Sequence, residues 1–150
     1  MKKKEQYALL LKQVQGLLEG ESDRVANMAN VTAVLHEAFG FWWTGFYLVQ
    51  GRELVLGPFQ GPVACTRIPF GRGVCGTAWQ QGKTVVVPDV EEFPGHIACS
   101  SASRSEIVVP VIKGKDVVAV LDIDSRELAT FDARDAAGLE AIVALLAPLF

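Results

Sequence analysis

Two apolar, β-branched runs, Glu106 to Lys113 and Val117 to Asp124, stand on either side of Gly114 and Lys115. Runs of strand length with so short a glycine-containing break between them specify an antiparallel hairpin. Side chains alternate across a strand, so Asp122 and Asp124 share one face. Opposite ends of paired antiparallel strands coincide, which brings Glu106, at the start of the first arm, towards both aspartates. Three converging carboxylates repel one another unless a cation sits between them or one of them keeps its proton. The cation can be a divalent metal or the ammonium group of a small ligand, and a proton-holding acid can serve as a general acid. Solvated strand-end acids are the plain alternative.

The rest of the chain supplies partners for that hairpin. Tyr7, Leu10, Leu11, Val14, Leu17 and Leu18 form a helical stripe over Lys3 to Leu18, which Gly20 ends. Ser22 is placed to cap a second helix that runs to Gly40, with His36 in its last turn. Phe41 to Val49 and Glu53 to Phe59 read as two strands joined at Gln50, Gly51 and Arg52. In the first, Trp43, Gly45 and Tyr47 alternate onto one face, and as an edge strand it can wall an apolar pocket. Val63 to Phe70 reads as a third strand carrying Cys65, and Gly71 to Trp79 as a glycine-rich turn into a short helix stopped by Gly82. Thr84 to Val87 is a short strand, and Pro88 to Ser103 a long loop. Asp132, with Asp135 three positions on, caps a strongly apolar last helix. Hairpin-linked strands predict an α+β domain with about six mainly antiparallel strands and the N- and C-terminal helices packed on one face.

A chain of 150 residues is read as one domain, 1–150, with a single well-covered core. Its 14 basic and 17 acidic residues, a net charge of −3, argue against nucleic acid, which needs a basic face. Lys2, Lys3 and Lys4 resemble the start of a signal peptide, but Glu5, Gln6, Lys12 and Gln13 interrupt any apolar core. The apolar run from Ala141 to Phe150 is too short to span a bilayer, so a cytoplasmic protein without membrane contact is expected. The glycine-rich turn at 71–76 lacks the full spacing of a phosphate-binding loop.

Three cysteines, Cys65, Cys75 and Cys99, stand without Cys-x-x-Cys or paired-histidine spacing, so neither a disulfide framework nor a structural zinc site is expected. Cys99 lies in a run of small polar residues with no hydrophobic period, and Arg104 follows it. Loops on rigid scaffolds carry chemistry, and a thiolate needs electropositive, partly exposed surroundings. A cysteine loop, an acidic pocket and an aromatic wall together suggest thiol redox chemistry on a small cationic or zwitterionic molecule.

The motifs Trp43-Thr-Gly-Phe-Tyr47, Leu56-Gly-Pro-Phe-Gln-Gly61, Ala64-Cys65, Gly73-Val-Cys75-Gly, His96-Ile-Ala-Cys99, Ser103-x-Ser105-Glu106 and Leu121-Asp-Ile-Asp124 are familiar as a set. Across essentially its whole length the chain resembles the free methionine-(R)-sulfoxide reductases, enzymes built on a GAF domain. That resemblance implies that Cys99 is the catalytic thiolate, Cys65 the resolving thiol and Cys75 an auxiliary thiol. It further implies that Glu106 or Asp124 protonates the departing oxygen. Asp122, Asp124 and Glu106 would hold the substrate ammonium, while Trp43 and Tyr47 enclose the S-methyl group. No bound cofactor or metal is implied; the reductant would be thioredoxin. The greasy first and last helices suggest a homodimer face. The competing readings are a non-catalytic GAF-type sensor of a small ligand, and a metallohydrolase, which the scarcity of histidines disfavours.

Overall fold

A computed structural model describes residues 1–97 and 102–150. Among the described residues, four α-helices, α1 (Lys3–Leu18), α2 (Arg24–Phe39), α3 (Gly73–Gln81) and α4 (Ala133–Leu146), accompany six strands. The strands are β1 (Trp43–Gln50), β2 (Glu53–Gln60), β3 (Arg67–Pro69), β4 (Val85–Val87), β5 (Ser105–Lys113) and β6 (Asp116–Ser125). They form one sheet in the order β3-β2-β1-β6-β5-β4, and every neighbouring pair is antiparallel.

The expected hairpin forms as β5 and β6, with Glu106 opposite Asp124 and Val108 opposite Asp122. β1 is a central strand, not an edge: it pairs with β2 on one side and β6 on the other. The third strand is shorter than expected. Only Arg67–Pro69 pairs, so Cys65 sits in the loop before β3 and not in it.

Strand alternation divides the interior into two cores. Phe46, Ile107, Val109, Leu121 and Ile123 face α1, α2 and α4, which contribute Tyr7, Leu10, Met28, Leu35, Leu139 and Ile142. Trp43, Tyr47, Leu54, Val108 and Val120 face the other way, where α3 lays Val74, Cys75 and Ala78 on them. The terminal helices therefore share one face as expected, and α3 covers the face that carries the acids, with Val90 and the loop carrying Ala64 beside it.

Local signals set the ends of these elements. Asp23, rather than Ser22, caps α2, its carboxylate accepting from the Ala26 amide at 2.9 Å. α4 begins in a capping box between Asp132 and Asp135, and Asp135 also accepts from Tyr7 Oη at 2.7 Å and Lys3 Nζ at 2.6 Å. That contact latches α1 onto the start of α4. The two helices cross so closely that a Cβ on Gly138 would lie 2.2 Å from the Tyr7 ring. Among the described residues, no helix is long and apolar enough to cross a membrane.

Candidate active site

A pocket opens on the α3 face of the sheet, and its floor is the β5–β6 hairpin. Glu106, Asp122 and Asp124 line it together with Cys75 from α3, Trp43 and Tyr47 from β1, and Ser103 and His96 from the segment before β5. The carboxylates meet because a directly opposed pair, Glu106 and Asp124, is joined by the residue two positions back on the same strand.

The cluster is dry. Glu106 and Asp122 are each 6 % exposed and Cys75 is 4 % exposed, while Asp124 is half-buried and accepts from Ser103 Oγ at 3.1 Å. Burial, and then the charge of Asp124, push the Glu106 carboxyl up to about 8. Burial likewise holds Asp122 and Asp124 well above the ordinary carboxylate range, with Glu106 and Asp122 respectively as the next cause. At about 8, Glu106 holds its proton at neutral pH and can give it up to a reacting oxygen. His96 Nε2 lies 3.7 Å from Glu106 Oε1, and burial lowers the histidine's affinity for a proton. Cys75 is a free thiol, raised by burial and next by the charge of Asp122, and so is un-ionised when its surroundings are undisturbed.

One carboxylate oxygen, Asp122 Oδ1, is buried without a hydrogen-bond partner among the described residues. A buried acceptor left unpaired costs about 1–3 kcal/mol, which a donor entering the pocket would relieve.

The aromatic wall is fixed by packing. The Trp43 ring stacks between Tyr47 and Phe59, with centroids 5.9 Å and 5.2 Å away, and its Nε1 donates to the Pro62 carbonyl at 3.0 Å. A Cβ on Gly45 would meet the Trp43 ring and Phe59 Cβ, each at 2.4 Å, so only glycine lets the indole lie flat there. Tyr47 Oη donates to the Cys65 carbonyl at 2.8 Å, which ties the wall to the loop that carries Cys65. Trp42, outside the expected site, also lines the pocket, with the Arg126 guanidinium 4.8 Å from its ring centroid.

The structure thus gathers Trp43, Tyr47, Cys75, Glu106, Asp122 and Asp124 around one pocket, with Cys65 next to Ala64 at its rim. Cys99 lies outside the described residues. Sequence reading missed His96, Trp42 and Ser103 as lining residues. His96 and Ser103 flank the cysteine loop within motifs already noted; nothing in spacing alone singles out Trp42.

Residues 26–150 match the GAF domain family. A Dictyostelium discoideum protein, "GAF domain-containing protein A", is 62% identical over 145 residues, covering 96% of this chain and 92% of that protein. The Escherichia coli "Free methionine-R-sulfoxide reductase" is 47% identical over 147 residues, covering 97% of this chain and 89% of its own length. Among solved structures, the free methionine-R-sulfoxide reductase of Neisseria meningitidis in complex with its substrate superposes with a TM-score of 0.98 at 55% identity. It covers 100% of this chain and 91% of that one.

Proposed function

Because the chain belongs to the GAF-domain family, and within it to the free methionine-R-sulfoxide reductases, we propose that it reduces free L-methionine-(R)-sulfoxide to L-methionine through a cysteine thiolate. It is an oxidoreductase acting on methionine sulfoxide. The observation that carries the substrate reading is the orphaned Asp122 Oδ1 within the trio of carboxyls.

In this scheme the substrate's α-ammonium donates to Asp122, with Glu106 and Asp124 around it. Its S-methyl group rests against Trp43 and Tyr47, and loop amides take the α-carboxylate. The Cys99 thiolate attacks the sulfoxide sulfur while Glu106 or Asp124 protonates the oxygen. The hydroxyl passes from the substrate sulfur to the Cys99 sulfur as the sulfur–oxygen bond and the transient sulfur–sulfur bond break, so methionine departs and Cys99 is left as a sulfenic acid. The Cys65 thiol condenses with that sulfenic acid, releasing water and forming a disulfide, which thioredoxin reduces by exchange. The bond needs Cα atoms within about 7 Å, so the Cys99 loop must come over the loop that precedes β3. An auxiliary part for Cys75 would require the thiol to be uncovered and ionised, which its burial opposes. A reducing cytoplasm suits the cycle, with α1 and α4 as the faces for a homodimer.

The acidic trio also explains a preference for the free amino acid. A peptide nitrogen is neutral and leaves the carboxylates unpaired, a mismatch that can reach factors of ~10⁴ in discrimination. Thioredoxin-coupled NADPH consumption tests the whole reading, using the free R epimer, the free S epimer and N-acetyl-methionine-(R)-sulfoxide. Turnover of the free R epimer alone is expected. Turnover of the acetylated compound would remove the ammonium argument, and no turnover of any of the three by reduced protein would overturn the function.

A further inference from the structure

The reductase scheme gives Cys75 no step, yet the fold places this thiol inside the acidic trio. α3 carries Cys75 onto the sheet directly over the hairpin, 4 % exposed and free. One ligand atom each from Cys75, Glu106 and Asp122 lie within 4.8 Å of one another. An ammonium group has no use for sulfur, whereas a thiophilic metal ion does. Asp122 Oδ1, buried and unpaired among the described residues, is a further sign that a cation belongs here.

From this arrangement we propose that Cys75, Glu106 and Asp122 form a buried site for a thiophilic divalent cation, zinc being the type, and that this ion and the substrate's ammonium group exclude each other. The exclusion rests on the ammonium placement given above; the metal site does not. A tetrahedral zinc ion with bonds of about 2.3 Å to sulfur and about 2.1 Å to oxygen holds its ligand atoms about 3.5 Å apart, so rotamer adjustment closes the cluster. Calcium and magnesium want six or more oxygens and gain nothing from a thiolate, which sets the metal class. His96, whose Nε2 stands 3.7 Å from Glu106 Oε1, borders the cluster on the pocket side. On binding, the Cys75 S–H bond breaks and its proton, with any proton held by Glu106 or Asp122, leaves to solvent as the sulfur–metal and oxygen–metal bonds form, with no change of oxidation state. No spacing motif announces the site, because its ligands come from α3, β5 and β6.

The test uses the full chain with Cys65→Ser and Cys99→Ser, so that Cys75 is the remaining thiol. Cobalt(II) serves as the probe, read by its thiolate charge-transfer absorbance and by displacement with zinc. One equivalent should bind with that band. Adding Cys75→Ser should abolish the band, and adding Asp122→Asn instead should weaken binding about tenfold or more. Circular dichroism establishes that each variant is folded. Failure of the folded double variant to bind one equivalent, or an unchanged band after Cys75→Ser, overturns the site. Free methionine sulfoxide should lower the apparent cobalt affinity; undiminished affinity would overturn the exclusion and the ammonium placement while leaving the metal site standing.

Discussion

Asp122 combines two properties: it is almost wholly buried, and one of its oxygens meets no donor among the described residues. Asp122→Asn should therefore raise the KM for free methionine-(R)-sulfoxide about tenfold or more while changing kcat less, and an unchanged KM would count against the ammonium contact. The two cysteines of the cycle separate in a different measurement. Cys99→Ser should abolish even the first turnover, whereas Cys65→Ser should still release one equivalent of methionine and then fail to be recycled by thioredoxin. Equal loss of the first turnover in both would contradict the assigned roles. Residue identity was readable in advance for most of this site, since the three acids follow from hairpin geometry and the aromatic pair from alternation. Cys75's place among the acids was not readable, because it depends on where α3 lands on the sheet, a contact between segments about thirty residues and more apart in the chain.

Elements with strong local signals lie where sequence patterns put them. The stripe at Tyr7, Leu10 and Val14, the Asp132–Asp135 capping box and the Gly114–Lys115 break each encode structure within a few residues. What depends on partners far along the chain departs from those patterns. β1 looked like an edge because its pairing with β6 joins residues about seventy-five positions apart, and β3 looked longer because an apolar run does not reveal where pairing stops. Helix α4 offers a sharp test of the packing. Gly138→Ala should destabilise the protein by about 1–3 kcal/mol despite alanine's better helix propensity, since the new methyl group runs into Tyr7. Gly16→Ala in α1, where a Cβ meets nothing within 4 Å, should instead stabilise by about 0.5–1 kcal/mol. Denaturant unfolding of both variants checks the contrast, and equal effects would mean that α1 and α4 are not held as closely as described.

At the scale of the whole molecule, the buried acids tie stability to pH. Glu106 binds its proton more tightly folded than unfolded, so its contribution is complete below the ordinary glutamate value of 4.5 and is lost as pH rises through about 8. Asp122 and Asp124 shift in the same direction. Ligand-free protein should therefore melt at lower temperature as pH climbs from about 6 to about 9, by an amount on the order of 2–4 kcal/mol in unfolding free energy. Glu106→Gln should melt higher than the parent at the alkaline end, with the gap closing towards the acid end, while losing activity. A gap that does not vary with pH would show that Glu106 is ionised and paired in the folded state.

The sheet's two cores have a consequence for how such a protein can change over evolutionary time. The helices that hold the chain together are packed on the side away from the pocket, and the pocket is floored by alternate residues of the same strands. Substitutions at Glu106, Asp122 or Trp43 alter what the pocket accepts without touching a side chain of the opposite layer. A lineage with this layout can exchange one small-molecule preference for another, or a catalyst for a receptor, while its folding scaffold drifts on a separate clock.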